Sequence, residues 1–157
     1  MTRRLVRLRA TPDAGNAIVE FIFVAVLVFV PLIYLIVAVA VIQRARLATS
    51  NAARDVGRAI ATSESADQAD LRAQAALRIA IANQGLRPAD VQLRFVAAGA
   101  DCQAGPAVLP TLAAGAVFRV CVIRHQRLPA VPTVLSGRGV TTIGAYLVHV
   151  DEFRTIR

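Results

Sequence analysis

The chain has no lysine and no tryptophan, and its 157 residues include only two cysteines, two histidines and one methionine. All 18 basic residues are therefore arginine, a bias we read as codon composition and not as chemistry. Ser63, Ser65 and Ser136 sit in turn-like surroundings without a nucleophile-elbow pattern, so no catalytic constellation can be assembled from them. They read as caps and turns. Neither an enzyme, nor a cofactor, nor a small-molecule substrate is expected. Metal binding is poorly served as well. Cys102, Cys121, His125 and His149 make up the number for a zinc tetrad, yet Cys121 and His125 lie four residues apart on an expected strand. That spacing separates them by about 13 Å, too far for one zinc ion short of a sharp bend in the strand. The two histidines read instead as exposed strand ends.

Acids are also scarce. Ten Asp and Glu against 18 Arg give a formal charge of +8 and a pI near 11.3. A charge of this sign suits phosphate contacts, but its placement argues against nucleic acid as the partner. Arg3, Arg4, Arg7 and Arg9 precede a long apolar run, and Arg44, Arg46, Arg54 and Arg58 follow it. Flanking a membrane helix is the commoner use of such charges. Their balance on the two sides leaves orientation undecided.

What the chain does have is that run, residues 16–42, NAIVEFIFVAVLVFVPLIYLIVAVAVI. About 20 apolar residues cross a bilayer core as a helix, so the run is a membrane-span candidate and membrane lipid is an expected partner. Mean hydropathy is +0.56, and much of the excess sits here. The run is too long for the h-region of a secretory signal, although Ala38-Val39-Ala40 leaves cleavage after Ala40 as an alternative. Pro31 removes one helical hydrogen bond, which is tolerable in a membrane helix, and a kink is expected there. Glu20 is the exception to the pattern. A carboxylate within such a segment costs up to about 3 kcal/mol at mid-membrane and less near the interface. It either snorkels to water as part of an uncleaved anchor or has a partner.

The helix is expected to continue past the bilayer to Ala61, with Ala48, Ala52, Val56 and Ala59 on one face and Arg54 and Arg58 on another. Ser65 with Gln68 fits a capping box, and Asp67 and Asp70 suit a helix start. A second helix follows over 66–84, with Leu71, Ala75, Ile79 and Ala82 on one face, ended by Gly85 and Pro88. Beyond residue 89 the period becomes that of strands. Val91, Leu93 and Phe95 alternate with polar residues; residues 116–125 are rich in β-branched and aromatic side chains; a third strand runs over 140–150. Pro129, Pro132, Gly137 and Gly139 break the chain before it, and the tail from Asp151 is expected to fray. The expected fold is α+β: a long N-terminal transmembrane helix, a second helix and an antiparallel sheet of about three strands. Its segments are a basic leader (1–15), a transmembrane stretch (16–42), an extramembrane continuation (43–61) and a small extracytoplasmic domain (62–157). Cys102 and Cys121 can pin a loop to the second strand as a disulfide in an oxidising compartment, and would stay reduced in the cytosol.

Gly15 followed five residues later by Glu20, after a basic leader, resembles a prepilin-type signal. The stretch GNAIVEFIFVAVLVFVPLIYL, with ATSNAARDVGRAIAT after it, is similar to the TadE-like proteins, minor pseudopilins of tight-adherence (Flp, type IVc) pilus systems. The resemblance covers residues 14–61 and rests on Val19-Glu20-Phe21, Pro31 and Asn51-Ala52-Ala53-Arg54; beyond them it follows the actinobacterial members in outline. It implies cutting by a prepilin peptidase between Gly15 and Asn16, and pairing of Glu20 with the new terminus in its own chain or a neighbour's. It implies an N-terminus in the cytoplasm and a C-terminal domain outside it. The implied partners are the peptidase, other pilins and the pilus assembly machinery, with the extramembrane helix packed on other subunits.

Overall fold

The computed structural model describes residues 14–126 and 139–153, with side chains from residue 17 onward. The basic leader up to Asp13, the breaks at Pro129, Pro132 and Gly137, and the tail beyond Phe153 lie outside the described residues. The chain divides into two compact units between Ala38 and Val39. In order it forms α1 (Ala14–Ala61), α2 (Ala66–Asn83), a 3₁₀ turn (Pro88–Asp90), β1 (Val91–Ala97), β2 (Val117–Gln126) and β3 (Val140–His149). The fold is α+β, with three antiparallel strands in the order β1-β2-β3. Pro31 lies inside α1, and the helix continues beyond it.

Local chemistry explains the joints of the unit Val39–Arg157. At the end of α1, Ser63 Oγ donates to the Ala59 carbonyl at 2.6 Å and Thr62 Oγ1 to the Arg58 carbonyl at 2.9 Å. These bonds satisfy carbonyls that a helix end leaves without partners. Ser65 then caps α2 by accepting the Gln68 N–H at 3.2 Å. The return bond of the box goes one residue further back, from the Glu64 N–H to Gln68 Oε1 at 2.6 Å. At the other end Leu86 N–H reaches the Ile81 carbonyl and Gly85 N–H the Ala82 carbonyl, at 3.0 and 3.1 Å. This Schellman pattern needs a left-handed residue, and Gly85 supplies it with φ 60°. Nothing stands within 4 Å of a Cβ placed there, so Gly85→Ala tests backbone strain alone. Its expected effect on urea unfolding is a loss of about 1–2 kcal/mol.

Alternation sorts the strands into two faces. Val91, Leu93 and Phe95 of β1, Phe118, Val120 and Val122 of β2, and Tyr146 and Val148 of β3 enter one core with Ala52, Ala53, Val56 and Ile60 of α1 and Ala69 and Ala73 of α2. Register agrees, with Phe95 opposite Val120 and Val120 opposite Tyr146. Phe95 and Phe118 meet edge to face, centroids 6.2 Å apart. Two glycines let α1 lie against β3. A Cβ on Gly57 would overlap the Tyr146 ring, and one on Gly144 would run into the Thr49 carbonyl.

The alanine-rich face of α1 after the apolar run finds a surface within the chain: Ala45, Ala48, Ala52, Ala53, Val56 and Ile60 are buried in the unit Val39–Arg157, because two side-chain-free positions allow backbone contact. One expectation is corrected by this packing. On α2 the residues Leu71, Ala75, Ile79 and Ala82 were grouped as the apolar face, yet Leu71 is 66% and Ile79 60% exposed. Ala69, Ala73 and Ile81 face inward. The helix has two apolar faces, and the one that packs carries Ala69, Ala73, Leu77 and Ala80 against the core.

Candidate functional site

From Ile18 to Val39 the apolar side chains of α1 have no core to enter. Phe21 is 74%, Phe23 66% and Leu27 62% exposed, and the other large side chains of this stretch are also exposed. Soluble monomers rarely show a contiguous apolar surface beyond a few hundred Å². Here the mean hydropathy reaches 3.1 over an 18-residue window, in a helix long and apolar enough to cross a membrane. Backbone groups are satisfied within such a helix, as a lipid environment demands.

Glu20 sits in this surface, exposed, between Val19 and Phe21. Among the described residues its carboxylate has no ion pair or hydrogen bond. The peptide bond joining Gly15 to Asn16 falls in the first turn of α1, which begins at Ala14. Residue 16 is thus four positions before Glu20, and positions i and i+4 lie on the same helix face. Pro31 is exposed, eleven residues further along the same helix. Of the sequence-derived site residues, α1 brings Gly15, Asn16 and Glu20 within two turns of one another, with Pro31 further along it.

Cys102 and Cys121 form a second locus, on the sheet face away from the helices. They are joined as a disulfide with Cα atoms 5.7 Å apart and 19 residues of separation. Val96 packs beside them, and all three are at most 5% exposed. Arginines hold the loop around the bridge, a feature sequence reasoning missed. Arg94 donates to the carbonyls of Cys102, Gln103 and Gly105 at 2.7–3.0 Å, and Arg119 to that of Ala100 at 2.9 Å. Strand alternation was the available signal, since Arg94 and Arg119 share the face that carries Cys121. Asp101 turns the loop by accepting the N–H groups of Gln103 and Ala104, each at 2.8 Å. The bond from Ala104, then that from Gln103, holds its carboxyl below the usual range. That contribution is present above the unfolded carboxyl pKa and is lost as pH falls through the folded value. His125 Nδ1 lies 3.0 Å from Thr141 Oγ1 at the exposed strand end. Comparison with protein-family models, with curated proteins and with solved structures finds no match.

Proposed function

We propose that the chain is a TadE-like minor pseudopilin, cut by a prepilin peptidase and acting in the assembly of a tight-adherence pilus. The observation that carries this reading is the juxtaposition at the start of α1. The Gly15–Asn16 bond lies in the first turn, and an acid follows one turn later on an otherwise apolar, exposed helix. Removing residues 14 and 15 takes away the carbonyl acceptors of residues 18 and 19 only, so the rest of the helical ladder survives cleavage. The cut creates an α-amino group, mostly charged at neutral pH, one turn from the Glu20 carboxylate. A carboxylate in apolar surroundings is costly alone and much less so when paired. Glu20 therefore serves as a register mark, pairing with this terminus in its own subunit or the next. The bridge between Cys102 and Cys121 suits an oxidising compartment, which supports an N-terminus in the cytoplasm and the sheet unit outside it.

Mass spectrometry of the full chain co-expressed with a prepilin peptidase tests the proposal. The expected product begins at Asn16 and has 142 residues, 157 minus 15, while Gly15→Leu leaves the precursor intact. A Met1 terminus in both would sink it.

A second reading is an uncleaved, membrane-anchored binding module. It is favoured by the closure of the unit Val39–Arg157 on its own α1 face, which leaves that face no need of a neighbour. Glu20→Ala separates the two. Under the pseudopilin reading the variant is processed but no longer co-purifies with pilus components; under the anchor reading recovery of partners is unchanged.

A further inference from the structure

The two edges of the sheet are treated differently. At β1 another segment of the chain lies along the edge: Val96 bridges to Ala107, and the Phe95 carbonyl accepts the Val108 N–H at 2.9 Å. The other edge strand is β3, ten residues long. It holds no proline and no Asp, Glu or Arg, and its register with β2 runs through without a bulge. Charge, proline, bulges and short length are the usual means of keeping a free edge from pairing. β3 has none of them.

The phase of the ladder tells which groups of β3 are open. In an antiparallel pair, opposed residues alternate between exchanging both hydrogen bonds and exchanging none. The Val150 N–H reaches the Ala116 carbonyl at 2.9 Å, directly beyond the opposed pair Val117 and His149. Thr142, Gly144, Tyr146 and Val148 are therefore the positions that bond to β2. The N–H and C=O groups of Thr141, Ile143, Ala145, Leu147 and His149 point away from it, and among the described residues no backbone group meets them. The bond from Val108 to Phe95 fits the same phase, since Phe95 opposes Val120, which is turned toward Tyr146.

Side chains beside the edge set the chemistry of a strand added there. On the face away from the helices Ile143 is 36% and Leu147 51% exposed, which calls for apolar side chains on that side of the added strand. On the other face α1 lies over β3, since a Cβ on Gly144 would meet the peptide between Thr49 and Ser50. Ala48, Asn51 and Asp55 turn toward α2, lining a cleft with its Ala80 and Asn83. At 100° per residue, roughly 3.6 to a turn, Arg46 and Ser50 lie on the flank away from α2. Both are exposed, and with α1 over the last strand that flank overhangs the open edge. Among the described residues Arg46 has no ion-pair partner. At about 1.5 Å per helical and 3.3 Å per strand residue, it is level with about Thr142.

We propose that the open edge of β3 docks an extended segment of a protein partner, its backbone paired along residues 141–149. Side chains of the segment alternate, apolar beside Ile143 and Leu147 and acidic beneath Arg46. The net charge of +8 favours an acidic partner on approach as well. The proposal does not rest on cleavage after Gly15, so an uncleaved chain leaves it standing.

The test is fluorescence anisotropy of the full chain in detergent with a labelled peptide of alternating valine and glutamate, as long as β3. Two more peptides of the same sequence carry N-methyl groups, one on the valine amides and the other on the glutamate amides. Only one set of amides faces β3, so one methylated peptide is expected to bind as the parent does and the other about tenfold more weakly or less. Ala145→Pro removes an outward N–H and no bond to β2. It is expected to keep the thermal midpoint and to weaken the parent peptide about tenfold, while Arg46→Gln weakens it about threefold. Failure of the parent peptide to bind, equal loss or equal retention with both methylated peptides, or undiminished binding to Ala145→Pro would overturn the proposal. Undiminished binding to Arg46→Gln would remove the acidic assignment. A chain that sediments as a dimer without peptide, and as a monomer in Ala145→Pro, would reassign the edge to a second copy.

Discussion

Gly144→Ala is expected to destabilise the unit Val39–Arg157 by about 3 kcal/mol, at the top of the range usual for overpacking. The reason is the kind of atom the new methyl meets. A side chain can rotate away, but here the obstacle is the Thr49 carbonyl and the peptide that follows it. Moving that peptide means moving α1 away from β3, which opens the core around Val56, Ile60 and Val148. Thr49 has little freedom of its own, since its hydroxyl is bonded to the carbonyls of Ala45 and Arg46, each at 3.1 Å. Urea unfolding of the detergent-solubilised full chain, followed by far-ultraviolet circular dichroism, should show a midpoint lowered by about 1–2 M. Ala145→Ser, on the opposite and exposed face, should stay within about 0.5 kcal/mol of wild type. Equal midpoints for Gly144→Ala and wild type would refute the helix–sheet contact.

Removing the disulfide should cost a similar amount. Closing a loop over 19 residues withdraws about 3 kcal/mol of unfolded-chain entropy on the loop-entropy account. Cys102→Ala with Cys121→Ala is the cleaner variant, because serine would also bury two hydroxyls where Cys121 is fully buried. The bonds from Arg94 and Arg119 to the loop carbonyls remain in the variant, so the sheet should stay folded with a lowered midpoint. Treating wild type with a reductant should reproduce the variant's curve. A wild-type midpoint that ignores reductant would contradict the prediction.

Much of this architecture is written in local signals. Ser65 with Gln68, and Gly85 with Pro88 beyond it, mark both ends of α2. The alternation at Val91, Leu93 and Phe95 identifies an inward strand face. Tertiary choice is not written locally. Periodicity tells which α2 residues share a face, but two faces of α2 are apolar, and only the partner decides that Ala69 and Ala73 go in while Leu71 stays out. Gly57 and Gly144 look like ordinary interruptions until the other element is laid against them. At the start of α1 the position was reversed. Gly15, Glu20 and the apolar run were legible at once, because spacing and hydropathy carry them, whereas the open edge of β3 and its outward groups emerge only through strand register.

The pairing of Thr49 with Gly144 also has a kinetic meaning. The contact joins the first helix to the last strand, while the strand pairs themselves join neighbours in sequence. Such a distant closure carries a larger loop entropy than any hairpin in the sheet. In a chain delivered from its N-terminus, α2 and the first hairpin have what they need early, but the seat on α1 stays open until Gly144, Tyr146 and Val148 arrive. Closure of the unit on α1 is therefore expected to be completed only when β3 docks.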